Sequence, residues 1–125
     1  MIGKVKGKVK SRAGDISVCL DIISYDEQGC RVNYCPALEL SGYGRTKAAA
    51  EKSFMLTLHE FLDYALEHGT LAAEMTELGW TIGASGAVVP PSMKEMYTSR
   101  TELQDLISER SFTKRRSNIL LPAFS

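Results

Sequence analysis

The chain has 125 residues, 44% of them apolar, with fifteen basic and fifteen acidic residues and so no net charge. That length and composition suit one compact domain and exclude wholesale disorder, and no apolar run approaches the roughly 18 residues needed to span a bilayer. The neutrality hides a segregation: residues 1–12 hold five bases and no acid, residues 13–109 six bases and all fifteen acids (net −9), and residues 110–125 four bases and no acid.

Lys4, Lys6, Lys8 and Lys10 alternate with Val5, Gly7 and Val9, the period of a strand. One face would be wholly basic and the other barely apolar, which suits an edge strand or a flexible arm. No apolar stretch follows this basic start, so it does not read as a secretory signal. Residues 15–25 are the first convincing strand, with Ile16, Val18, Leu20 and Ile22 on one face and Ser17, Cys19, Asp21 and Ile23 on the other. Residues 26–29 end in glycine and are of hairpin-turn length. Residues 30–34 read as the returning strand, stopped at Cys35-Pro36 because proline has no N–H for a ladder. Residues 38–43 form a third short strand, ended by Gly42 and Gly44.

Thr46 is a suitable N-cap for the longest helix, residues 47–67, which ends at Gly69. Ala50, Phe54, Leu58, Phe61, Leu62 and Ala65 share its apolar face. Glu51, Lys52, His59, Glu60, Asp63 and Glu67 lie opposite. Residues 78–82, with Trp80, read as a fourth strand, and residues 83–92 as a loop or a hairpin using Val88 and Val89. Ser99 and Glu102 have capping-box spacing and open a short helix to Arg110 with Leu103, Leu106 and Ile107 inward. Residues 111–121 are strand-like, and Pro122 stops them. The fold class is therefore α+β, a three- to four-stranded, mainly antiparallel sheet in the order β-β-β-α-β, with one long helix on one face. A basic arm (1–12), a body (13–82) and a C-terminal extension (83–125) divide the chain.

Cys19, Cys30 and Cys35 contain no CxxC pair, which argues against a zinc site or a disulfide framework and fits a reducing, cytoplasmic location. Cys19 is expected to be a small buried residue, and Cys30 and Cys35 to approach each other across the turn. His59 and His68 are nine apart, not a helical metal pair, and read as surface residues. The chain has no Ser-His-Asp order, phosphate loop or HExxH motif. It reads as a non-enzyme, with no catalytic residue, metal or cofactor assigned.

Tyr34-Cys35-Pro36-Ala37-Leu38, then Gly42, Gly44-Arg45-Thr46, Ala49 and the amphipathic helix resemble the HicB antitoxin family over residues 16–82. The resemblance implies a small degenerate RNase H-like fold, also likened to the double-stranded-RNA-binding domain. It also implies a bacterial toxin–antitoxin role in which the chain binds and occludes a small basic, mRNA-cleaving toxin. Many members add a DNA-binding module. Here Arg116 to Pro122 resembles only the opening strand of a ribbon-helix-helix, with three residues after it. RNase H chemistry needs clustered acids around two divalent ions, for which Asp21 with Asp15, Glu51 or Glu60 is the available set; a solvated arrangement of these acids is the preferred reading.

Between residues 54 and 78 there are five acids, Glu60, Asp63, Glu67, Glu74 and Glu77, and no Lys or Arg. Glu60, Asp63, Glu67 and Glu74 are the candidate contacts to a basic partner. The alternative is an orphan oligomer binding DNA or RNA phosphates through Lys4, Lys6, Lys8, Lys10, Lys114, Arg115 and Arg116, without base stacking. Open sheet edges favour self-association as a dimer or higher oligomer. No membrane partner is expected.

Overall fold

The structure, a computed structural model, describes residues 16–83 and 87–122; the arm with Lys4, Lys6, Lys8 and Lys10, and Asp15, lie outside the described residues. The elements are β1 (Ile16–Glu27), β2 (Cys30–Cys35), β3 (Leu40–Gly44), α1 (Lys47–His68) and α2 (Leu71–Glu77), followed by β4 (Thr81–Ile82), β5 (Val88–Val89), α3 (Met93–Ser99), α4 (Thr101–Glu109) and β6 (Phe112–Leu121). β1 and β2 form the expected hairpin, closed by Gln28 and Gly29 at φ 50° and 81°. Two left-handed residues give this turn the twist that the strands need. β3 pairs antiparallel with β2, and β6 with β1, from Ile16 opposite Leu121 to Tyr25 opposite Phe112. The sheet is four-stranded and antiparallel, in the order β3-β2-β1-β6.

α1 follows its sequence signals closely. The Thr46 hydroxyl accepts from the Ala49 N–H at 3.0 Å, and Gly69 closes the helix in the left-handed conformation at φ 66°. Ala50, Phe54, Leu58, Leu62 and Ala65 are buried, and Phe61 is half-buried. This stripe covers the sheet face that presents Leu20 and Ile22 of β1 and Ile119 of β6. Gly44 is the last residue of β3, as expected, whereas Gly42 lies inside the strand, and both have a further role. They belong to β3, and neither has positive φ. A Cβ on Gly42 would stand 2.5 Å from Phe54 Cα, and one on Gly44 would stand 2.6 Å from Ala49 Cβ. Their bare backbone lets α1 lie directly on β3.

Two expectations are corrected. Residues 78–82 supply no strand to the main sheet: residues 71–77 are helical, and only Thr81–Ile82 is extended, paired with Val88–Val89 in a separate two-stranded ribbon. Trp80 is instead pinned by its ring, whose N–H donates to the Ala37 carbonyl at 2.7 Å. A short apolar run does not distinguish a strand from such an anchor. The capping box lies not at Ser99 and Glu102 but at Ser92 and Glu95, opening α3, where hydrogen bonds from Ser92 hold the Glu95 carboxyl below the usual range. Ser99 cannot cap α4 because its hydroxyl donates back to the Glu95 carbonyl at 3.0 Å.

α3 and α4 lie on the face of the sheet opposite α1. Met96 of α3 shares a pocket with Cys19 and Asp21, and α4 flanks Tyr25 and Tyr34. No helix among the described residues is long and apolar enough to cross a membrane.

Candidate functional site

The outward face of α1 gathers three of the four predicted partner contacts. Glu60, Asp63 and Glu67 are exposed at helical spacings of three and four, with Leu56 (55% exposed) and Tyr64 (61%) among them. The Tyr64 ring stacks on His68 with centroids 4.0 Å apart, and His68 Nδ1 lies 2.9 Å from the Tyr64 carbonyl oxygen. This holds Tyr64 at the C-terminal end of the stripe. A large amphipathic ring beside carboxylates is a typical anchor at protein interfaces. Glu74 is placed differently. It is half-buried in the first turn of α2 and accepts from the Thr70 hydroxyl at 2.9 Å.

The basic tail is largely engaged by its own chain. Arg110 lies 3.3 Å from Glu27, and its guanidinium sits 5.3 Å over the Tyr25 ring. Arg115 points to the α1 side, where Nη2 is 3.7 Å from Glu51 and Nη1 donates to Ser24 Oγ at 3.3 Å. Ser24 Oγ in turn donates to Asn33 Oδ1 at 2.7 Å, a buried cross-strand pair under the helix. Arg116, on the other face, is 3.9 Å from Asp21. Lys114 and Arg116 are exposed on the same face of β6, so two of the three predicted phosphate contacts in the tail face solvent together.

Asp21 and Glu51 are on opposite sides of the sheet, so they cannot share one ion. No group of three or more His, Cys, Asp or Glu side chains could hold a metal among the described residues. Cys19 is exposed rather than buried, because its side chain is on the face away from α1. Cys30 and Cys35 stand at opposite ends of β2, about 17 Å apart at strand rise, and are not neighbours. His59 is half-buried, not a surface residue. Burial pushes the Cys35 thiol up to about 12, despite hydrogen bonds from the Leu38 and Ala37 backbone. It is a protonated core group at neutral pH and not a nucleophile.

The Cys35-Pro36-Ala37-Leu38 turn is a junction. Arg100 Nη1 donates to the Pro36 carbonyl at 2.6 Å and Nη2 to the Leu78 carbonyl at 3.2 Å, while Trp80 holds Ala37. The turn therefore ties the hairpin to the C-terminal helices.

The sequence reading missed a groove between α4 and the outer face of the sheet. Its floor holds Tyr25 and Tyr34, and Glu102, Asp105 and Glu109 form one wall. The only signal was that these acids recur at i, i+3 and i+7, opposite the apolar side of α4. No family model matches the chain, and no curated protein or solved structure matches it.

Proposed function

We propose that the chain is a non-enzymatic binding protein of the HicB-like antitoxin type, which neutralises a small basic mRNA-cleaving toxin by covering it. The observation that carries this reading is the exposed stripe of α1, where Glu60, Asp63 and Glu67 surround Leu56 and Tyr64. Such a surface offers a basic partner apolar area for affinity and carboxylates for orientation and fast encounter. The Ala-rich, glycine-spaced helix start and the Cys-Pro-Ala-Leu turn are the features that it shares with the family pattern. The ends of the sheet, β3 and β6, are free of further strands among the described residues, which supports self-association as part of the reading.

Co-expression with whatever small basic protein an adjacent reading frame encodes tests it. A stable complex is expected, and Glu60→Lys with Asp63→Lys should weaken it roughly a hundredfold, because like charges then face each other. A complex indifferent to that double reversal overturns the surface, and the lack of any complex overturns the function.

A further inference from the structure

We propose that the groove between α4 and the outer face of the sheet is a second binding surface, which takes an extended lysine- or arginine-bearing segment of a basic protein partner. The groove encloses about 500 Å³. It lies across the sheet from the α1 stripe, so it stands or falls independently of that surface.

The chain's own arginines show what the groove offers a cation. At one end Arg110 lies over Tyr25 and against Glu27, at 5.3 Å and 3.3 Å. At the other, Arg100 is 3.4 Å from Glu39 while its guanidinium donates to the Pro36 and Leu78 carbonyls. The first end is thus an arginine held by a tyrosine and a carboxylate, and the second an arginine held by a carboxylate and two backbone carbonyls. Between them Glu102, Asp105 and Glu109 form no ion pair with any described residue. Tyr25 and Tyr34 are each half-buried, and that burial raises both phenol pKa values, so the floor is partly shielded from water. Charge–ring and charge–charge attraction gain from such shielding.

Glu102, in the first turn of α4, complements the helix dipole, but the other two acids do not serve the helix. Asp105 and Glu109 repel each other at i, i+4, and Glu109 sits in the last turn, where the helix dipole disfavours a negative charge. The same turn has no base. Glu102 to Glu109 spans about 10 Å along the axis. That is too far to chelate a single ion, consistent with the lack of a metal-holding cluster among the described residues. Successive acids are about 4.5 and 6 Å apart along the axis, and bases on alternate residues of an extended chain, about 6.8 Å apart, can reach them on their long flexible stems.

The test is fluorescence anisotropy with a labelled peptide of four lysines alternating with valines, titrated with the full chain at low salt. Saturable binding is expected, weakened at least tenfold by Glu102→Gln/Asp105→Asn/Glu109→Gln and less than twofold by Glu77→Gln, an exposed acid outside both surfaces. Amide shift changes in the unmodified chain should centre on Tyr25, Tyr34 and α4, a readout that needs no variant to fold. Equal binding by the triple variant, or shift changes confined to α1, overturns the proposal. So does binding that appears only after residues 1–12 are removed, since the chain's own lysine arm would then be the occupant.

Discussion

Gly42 sets how close α1 can come to the sheet. Its missing side chain leaves room for the backbone of Phe54, which lies where a Cβ would go. Relief would require moving either a strand or a 22-residue helix, since the obstacle is backbone and not the end of a flexible side chain. Gly42→Ala is therefore expected to cost about 3 kcal/mol, the upper range of overpacking, seen as a lowered denaturation midpoint. Gly29→Ala makes the useful comparison. There a Cβ meets nothing within 4 Å, and only the left-handed backbone at φ 81° resists it. A smaller loss at Gly42 than at Gly29 would mean that α1 is not in contact with β3. The glycine itself was visible in the sequence, but its reason was not. That reason is a residue twelve positions away on another element, which no local pattern contains.

At the scale of elements, legibility followed the strength of the local signal. α1 combines a capping threonine, a long 3.6-residue period and a terminal glycine, and its bounds were read to within a residue. The β1–β2 hairpin was equally clear from alternation and a Gly-containing turn. α2 was missed because seven residues with only Leu71 and Met75 buried show too little periodicity. Trp80 sits in a strand-like run, and the sequence does not show that its indole serves the turn between β2 and β3. That indole joins the α2 end to the hairpin through one hydrogen bond to Ala37 in a buried setting. Trp80→Phe keeps most of the apolar ring but removes the donor, leaving the Ala37 carbonyl without this partner. The expected loss is about 1–3 kcal/mol, measured by urea unfolding. A loss near zero would show that water replaces the indole and that the junction rests on Arg100 alone.

At the scale of the whole molecule, the charge segregation becomes a pairing rule. The basic tail is β6, and the acids it meets are its own: Glu27, Asp21 and Glu51 for Arg110, Arg116 and Arg115. These contacts are 3.3–3.9 Å long and mostly solvent-accessible, so each contributes at most about 1 kcal/mol. Their role is orientation: Arg116 stands opposite Asp21 when β6 lies antiparallel to β1, Arg115 ties β6 to α1, and Arg110 ties the start of the tail to the end of β1. The larger gain is apolar. Ile119 and Leu121 are fully buried, and together they contribute about 3–6 kcal/mol, a large share of a small domain's total stability. They also help to cover Val18 and Leu20 beneath α1. The sequence showed a strand-like basic tail but not its place, since β6 pairs with a strand about a hundred residues earlier. A chain ending at Glu109 should therefore show no cooperative thermal transition by circular dichroism. A peptide of residues 110–125 added in trans should restore one, and the same peptide with Arg115→Glu and Arg116→Glu should restore it only at higher concentration. Cooperative melting of the truncated chain alone would place the stabilising core in the hairpin and α1. Equal rescue by the charge-reversed peptide would reduce the segregation of charge to a matter of solubility.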